Sequence, residues 1–530
     1  MKHELKRQIL QRYALSVSRC LHAFLVISLL TFTRADATQY YVSTAGNDNN
    51  PGTFDQPFLT IAKAISLSST VLKPGDSVIV RGGTYAAPTT ISLTKNGTES
   101  ARYYLLAYAG ERALLDFSGM SVGSSNRGVN LKGNYWTIKG LDIKGAGDNG
   151  MIVTGSFNII EFCTFFENRD TGLQMGGGAS QNQVINCDSY ANADASQGNA
   201  DGFAPKLDVG TGNAFFGCRA WRNSDDGWDG YLRGANDVTT RLESCWCFLN
   251  GYLKDGSPSV GNGNGYKTGG SDTKDLMHNV VLTRCLAFDN RVKGFDQNNN
   301  RGSITIYHGT AYRNGTNYGL GDTLASSKGK VLTVVTSVAL GEPGVLHSTA
   351  IQMTNSWMPP FAAPTAADFR SLDTAGVGGP RNPDGSLPEL RFLFPSNSSQ
   401  LVNAGTDVGL PFNGPAPDLG ALETPAVTRV AVSGQDTHGD LVLMQNSPNP
   451  FNAATRLTFT LPTSAAVSLH IYDALGRLIR TLVHQPLQAG IHVYTWEGRD
   501  VRQMPVASGV YHVRLEVEGQ VRGIRIVLLK

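Results

Sequence analysis

In the stretch Asn182-Gln183-Val184-Ile185-Asn186-Cys187-Asp188-Ser189-Tyr190-Ala191-Asn192, an alternating run leads to a small residue, Cys187, and an asparagine follows five positions on. The same pairing returns as Cys163/Asn168, Cys218/Asn223, Cys245/Asn250, Cys285/Asn290 and, with glycine replacing cysteine, Gly309/Asn314. Successive copies are 24, 31, 27, 40 and 24 residues apart. Each of the first five asparagines is followed by a glycine and a large apolar residue: Gly172-Leu173, Gly202-Phe203, Gly227-Trp228, Gly265-Tyr266 and Gly294-Phe295. Short strands recurring roughly every 20 to 30 residues, each with a fixed small residue and a fixed asparagine, describe a coiled solenoid.

A right-handed parallel β-helix fits this pattern best. Three short strands make each turn, and equivalent residues stack on the next turn at the strand spacing of ~4.8 Å. The cysteines then pile up inside as small hydrophobes, and the asparagines form an amide ladder at a bend. Free buried thiols are the leading reading of the six cysteines Cys163, Cys187, Cys218, Cys245, Cys247 and Cys285, with disulfides as the alternative. No LxxLxL period is present, which excludes a leucine-rich repeat. Pro57 to Thr70 has helical spacing and suits a cap over the first coil, Ser77 to Val80 reads as a strand, and 418–423 reads as a closing strand. Residues 320–400 keep the repeat poorly.

Composition agrees with turn-rich β structure: 60 of 530 residues are glycine, about one in nine, against a usual ~7%. Residues 1–37 carry a basic lead, an apolar run of 12 (Leu21 to Phe32) and Ala35-Asp36-Ala37, the pattern of an export signal. That run is too short for a stable membrane anchor, so a secreted or cell-surface protein with no transmembrane anchor is expected. The formal charge is +2 overall and near −2 without the lead, so a nucleic-acid binder is not indicated. The solenoid is expected over 38–423, a polar linker over 424–440, and a small Ig-like antiparallel β-sandwich over 441–530, where runs such as 457–461 and 510–517 alternate with period two.

Register turns the repeat into geometry. One residue before the glycine, successive coils carry Asp201, Asp226, Asn264 and Lys293; two residues after it, they carry Ala204, Asp229, Lys267 and Asp296. Asp225 lies two before. The insertions 193–201 and 251–264 fall beside this edge, as loops flanking a rigid stack do where clefts form. Asp201, Asp225, Asp226 and Asp229 would repel one another as bare carboxylates. A hard cation such as calcium resolves this, the alternative being solvated turn residues beside glycine. Lys267 has two readings: a salt bridge within the Asp229 and Asp296 stack, or, with its basicity lowered by a divalent cation, a general base.

These residues resemble polysaccharide lyase family nine, the pectate lyases on a parallel β-helix, over roughly residues 39–423. The resemblance is carried by Tyr40-Tyr41-Val42-Ser43, Gly46-Asn47-Asp48, Pro74-Gly75-Asp76, Arg81-Gly82-Gly83-Thr84-Tyr85, Asn199 to Phe203, Asp225 to Asp229, Asn264 to Lys267 and Lys293 to Asp296. It implies calcium held by Asp201, Asp225, Asp226 and Asp229, with Lys267 as the proton-abstracting base. Tyr266 stands where the family is expected to have Phe. Lys293 and Arg301 are candidates to hold neighbouring uronate carboxylates. The function so implied is calcium-dependent β-elimination of pectate by a monomer. Alternatives are a lyase or epimerase for another polyuronate, and a non-catalytic surface carbohydrate-binding protein. The tail, with Gln445 to Asn452, Ile471 to Arg477, Ala507 to Tyr511 and Lys530, resembles the C-terminal sorting domain of the type nine secretion system; the alternative is an accessory Ig-like module. That resemblance implies the secretion machinery as a partner and export through the outer membrane.

Overall fold

The computed structural model describes residues 37–382, 384–424, 441–444, 446, 449, 451–452, 454–473, 477–518 and 520–528. The export lead and the linker fall almost wholly outside the described residues. The chain divides into two compact units, parted between Ala426 and Val427.

The first unit is a parallel β-helix, as the repeat predicts. One sheet has twelve strands, from Gln39–Val42 to Ile351–Met353, and two have ten, all with parallel pairing between successive coils. Period-two alternation sends every second side chain into the bore, where strands such as Ser77–Val80 and Leu141–Lys144 bury alternate residues. Cys163, Cys187, Cys218, Cys245 and Cys285 are buried in successive coils, and all six described cysteines are free thiols. Cys247 stands apart from that column, its thiol 3.0 Å from the carbonyl of Gly265. The residue before each column cysteine (Phe162, Asn186, Gly217, Ser244 and Arg284) is left-handed, with φ between 51° and 59°, so one residue turns the chain from one sheet to the next.

The asparagine ladder is continuous. Nδ2 of Asn168 donates to Oδ1 of Asn192 at 2.9 Å, Asn192 to Asn223 at 2.9 Å, Asn223 to Asn250 at 3.0 Å, Asn250 to Asn290 at 2.9 Å and Asn290 to Asn314 at 2.9 Å. Each amide satisfies a buried bend that the strands cannot reach. At another corner the backbone amides of Asn158 and Asn182 donate to Oδ1 of Asn182 and Asn213 at 2.9 and 3.1 Å, and Asn182 Nδ2 also donates to Asn213 Oδ1 at 3.0 Å.

The ends differ in part from the sequence expectation. The N-terminal cap helix spans only Ile61–Ser66, with Thr60 accepting from the amide of Lys63 and Ile61 and Ala64 buried; Phe58 pairs with Val42 instead of joining it. The repeat continues past residue 320 through the strands Leu332–Val335, Val338–Leu340, Gly344–Leu346 and Ile351–Met353. The chain then leaves the coil and covers the outside of one ten-stranded sheet, burying Phe369, Val377, Phe392, Leu401 and Leu419 in one cluster with Trp221, Phe248 and Phe288. It reaches the coil of Asp188, where Arg219 and Arg381 both pair with that carboxylate at 2.7 and 2.6 Å. The expected closing strand at 418–423 is not a strand. Leu419 and Ala421 are apolar because they pack on that outer face, and the amide of Ala421 is satisfied by the Thr310 hydroxyl at 2.8 Å.

The second unit has an antiparallel sheet of three strands and another of four, around a core that includes Leu457, Phe459, Val467, Leu469, Trp496, Val513 and Leu515. No helix among the described residues is long and apolar enough to cross a membrane.

Candidate active site

Four short strands of one ten-stranded sheet build the site: Phe203–Pro205, Trp228–Asp229, Tyr266–Lys267 and Lys293–Asp296. Their first aromatic residues point into the bore and stack. Ring centroids are 4.8 Å apart for Phe203 and Trp228, 5.1 Å for Trp228 and Tyr266, and 5.2 Å for Tyr266 and Phe295. The Tyr266 hydroxyl is satisfied inside the bore, donating to the Cys245 carbonyl at 2.6 Å, so tyrosine fits where phenylalanine was expected. Alternation then turns the next residue outward, and Asp229, Lys267 and Asp296 are register partners on consecutive coils. The preceding glycine is required: a β-carbon on Gly227 would lie 1.9 Å from the Cys247 sulfur.

Asp201, Asp225, Asp226 and Asp229 come together beside Lys267, all buried. One oxygen from each of Asp201, Asp225 and Asp226 lies within 4.8 Å of the others. Asp229 stands next to this trio, with Oδ1 3.3 Å from Lys267 Nζ. The insertion 251–264 folds onto the cluster, as its place in the sequence suggests: Asn264 donates its amide to Asp226 Oδ1 at 2.8 Å, and Asn262 donates its own to Asp225. Asp226 Oδ2 is buried and receives no directed hydrogen bond, though Lys267 Nζ lies 3.1 Å away as an ion pair.

The electrostatics are those of a cluster built around positive charge. Burial, then Asp226 and Asp201, push the Asp225 carboxyl up to about 9. Burial pushes Asp201 up to about 7 against the pull of Lys206, with Asp229 and Asp226 adding to the rise. Burial also raises Asp226. Asp229 is the exception: burial pushes it up, but Lys267 and Lys206 outweigh that and hold it below the ordinary range. Lys267 is pulled down by burial and more strongly up by Asp229 and Asp226, so without a cation it stays protonated. Three crowded, buried carboxyls form the oxygen-rich donor set that a hard divalent cation takes. The residues fit calcium.

Of the other expected contacts, Lys293 pairs with Asp296 at 2.7 Å and is about one-third exposed. Arg301 is spent on backbone carbonyls, donating from Nε to Lys274 at 2.7 Å and also to Thr323. The salt bridge of Lys267 runs to Asp226 and Asp229, while Asp296 takes Lys293. Two features are absent from the sequence reading. The acidic column continues to Asp170, pushed up to about 6 by burial, and to Asp148, and both precede a glycine by two residues as Asp225 does. Lys206, buried one residue past its strand, lies 2.7 Å from Asp201 Oδ2 and 3.4 Å from Asp229 Oδ2. It follows Gly202 by four, so finding it requires extending the register beyond the strand into the turn.

Fold and relatives together define a polysaccharide lyase on a right-handed parallel β-helix. Residues 40–330 match the family described as "Pel9A-like, right handed beta helix region", and residues 445–520 match the FlgD Ig-like domain. The chain belongs to the Pel9A-like family. It is 38% identical over 432 residues to pectate lyase L of Dickeya dadantii (strain 3937), covering 77% of this chain and 98% of the relative. It is 32% identical over 402 residues to pectate lyase PEL9 of Emericella nidulans, covering 70% of this chain and 95% of the relative. The crystal structure of pectate lyase Pel9A superposes with a TM-score of 0.67 at 38% identity, over 74% of this chain and 97% of that one.

Proposed function

We propose that this protein is a secreted, calcium-dependent pectate lyase in which Lys267 is the general base. The observation that carries the reading is the position of Lys267 Nζ, 3.1 Å from Asp226 and 3.3 Å from Asp229 at the edge of the crowded carboxyl trio. The named pectate lyases among its relatives supply the substrate class. Asp201, Asp225, Asp226 and Asp229 would hold the cation. When bound, calcium neutralises the uronate carboxylate and acidifies the proton on carbon 5.

The chain's own groups then act as follows. With the carboxylates neutralised, the upward pull on Lys267 is lifted and burial favours its neutral amine. Nζ takes the carbon 5 proton, the electron pair forms the carbon 4–carbon 5 double bond, and the bond from carbon 4 to the glycosidic oxygen breaks. The leaving oxygen takes its proton from water. Lys293, at the next coil and about one-third exposed, suits the carboxylate of a neighbouring uronate. The role of Arg301 in holding another requires release from the carbonyls it now serves.

The export signal at 1–37 and the type nine sorting role of the C-terminal unit belong to the same reading, which places a monomeric enzyme outside the cell. Incubation with polygalacturonate, with calcium and then with chelator, tests the enzymology. Growth of ultraviolet absorbance from the unsaturated product only with calcium supports it. Cleavage that yields saturated ends, or that is indifferent to calcium, overturns it.

A further inference from the structure

We propose that Lys206 is a positioning residue: a fixed internal counter-charge that holds Asp201 and Asp229 in place and limits how tightly the cluster grips its cation. The inference rests on the calcium reading above. Lys206 is 5% exposed and follows the strand Phe203–Pro205, and its Nζ reaches Asp201 Oδ2 at 2.7 Å and Asp229 Oδ2 at 3.4 Å. Those two carboxylates lie on adjacent coils and in different columns of the repeat, so no strand pairing ties them together. Lys206 does. Asp229 is thereby held between two ammonium groups, Lys206 on Oδ2 and Lys267 on Oδ1.

Charge counting gives this contact a consequence. Four ionised aspartates carry −4, Lys206 returns +1, and a divalent cation adds +2, leaving −1 beside a neutral Lys267. Without Lys206 the same loaded site would carry −2. A more negative site attracts the cation more strongly and repels a polyanionic substrate more strongly. The metal-free protein, conversely, would have only Lys267 to offset four buried carboxylates.

The test uses the full chain with Lys206→Met, which keeps the length and apolarity of the stem but removes the charge. Calcium binding is measured by calorimetry, and thermal unfolding is followed in calcium and in chelator. The variant should bind calcium at least tenfold more tightly than the wild type. The gap in unfolding temperature between calcium and chelator should widen, and KM for polygalacturonate should rise more than kcat falls. Unchanged or weaker calcium binding, or an unchanged temperature gap, overturns the inference. A variant that folds only with calcium is the extreme of the widened gap and supports it. Lys206→Arg, which keeps the charge, should retain the wild-type gap; a widened gap there overturns it, even if Lys206→Met folds under neither condition. A wild-type protein that binds no calcium would refute the calcium reading itself, which separates the two failures.

Discussion

Asp229 and Lys267 are 38 residues apart in the chain and direct register partners on adjacent coils, with Nζ 3.3 Å from Oδ1. The insertion 251–264 lies between them in sequence, and its amides land on the neighbouring Asp225 and Asp226. One strand pairing therefore sets the amine beside the carboxylates, and one loop finishes the carboxylates' hydrogen bonding.

Lys267→Ala should lower turnover by several orders of magnitude, with calcium affinity unchanged or increased because a positive charge leaves the cluster. Lys267→Arg should fail nearly as badly, since guanidinium stays protonated at any workable pH. Wild-type turnover should climb on the alkaline side as the neutral amine fraction grows. Lys267→Arg retaining more than about a tenth of wild-type turnover, a barrier change under ~1.4 kcal/mol, would assign Lys267 to the salt bridge alone.

Chelation should abolish activity and leave the β circular dichroism nearly unchanged. The bore has its own continuous apolar and aromatic stack, whereas the proposed cation would neutralise carboxylates on the outer side of one sheet. Loss of the β signal on adding chelator would contradict this.

Asp188→Asn should destabilise the β-helix by about 3–5 kcal/mol, because it leaves two guanidinium groups, Arg219 and Arg381, without their carboxylate. Burial raises the Asp188 carboxyl, but Arg219 and Arg381 outweigh it and hold it below the ordinary range. The ionised form is thus favoured by folding. Its contribution is present above an unfolded value of ~3.9 and lost as pH falls through the depressed folded value. Urea midpoints of variant and wild type from pH 7 down to 3 measure both effects. A midpoint difference that did not shrink on acidification would place the loss elsewhere.

Deleting 441–530 should leave lyase turnover intact in a heterologous host, since the second unit carries a separate core. In the native host the truncated protein should not reach the surface or medium. Normal export of the truncated chain would rule out the sorting role.

The Cys-to-Asn offset of five and the glycine-aromatic pair already implied a stacked solenoid, since a β-helix repeats its chemistry at each turn and a repeat in one dimension is visible in one dimension. The same register aligns Asp229, Lys267 and Asp296 on successive coils, and the sheet pairs Asp229 with Lys267 and Lys267 with Asp296. What the sequence left open lies where the period stops. The segment after Ile351–Met353 packs across the outside of the coils, so its apolar residues answer to Trp221, Phe248 and Phe288, more than sixty residues away along the chain. The closing strand expected at 418–423 failed for that reason, its Leu and Ala being an outer-face contact. Lys206 was hidden in the same way, because it lies in a turn and its partners are on two different columns. Periodicity is local and can be read along the chain, whereas the pairing of a buried charge depends on which coil corners meet in space, and the tertiary structure alone decided that.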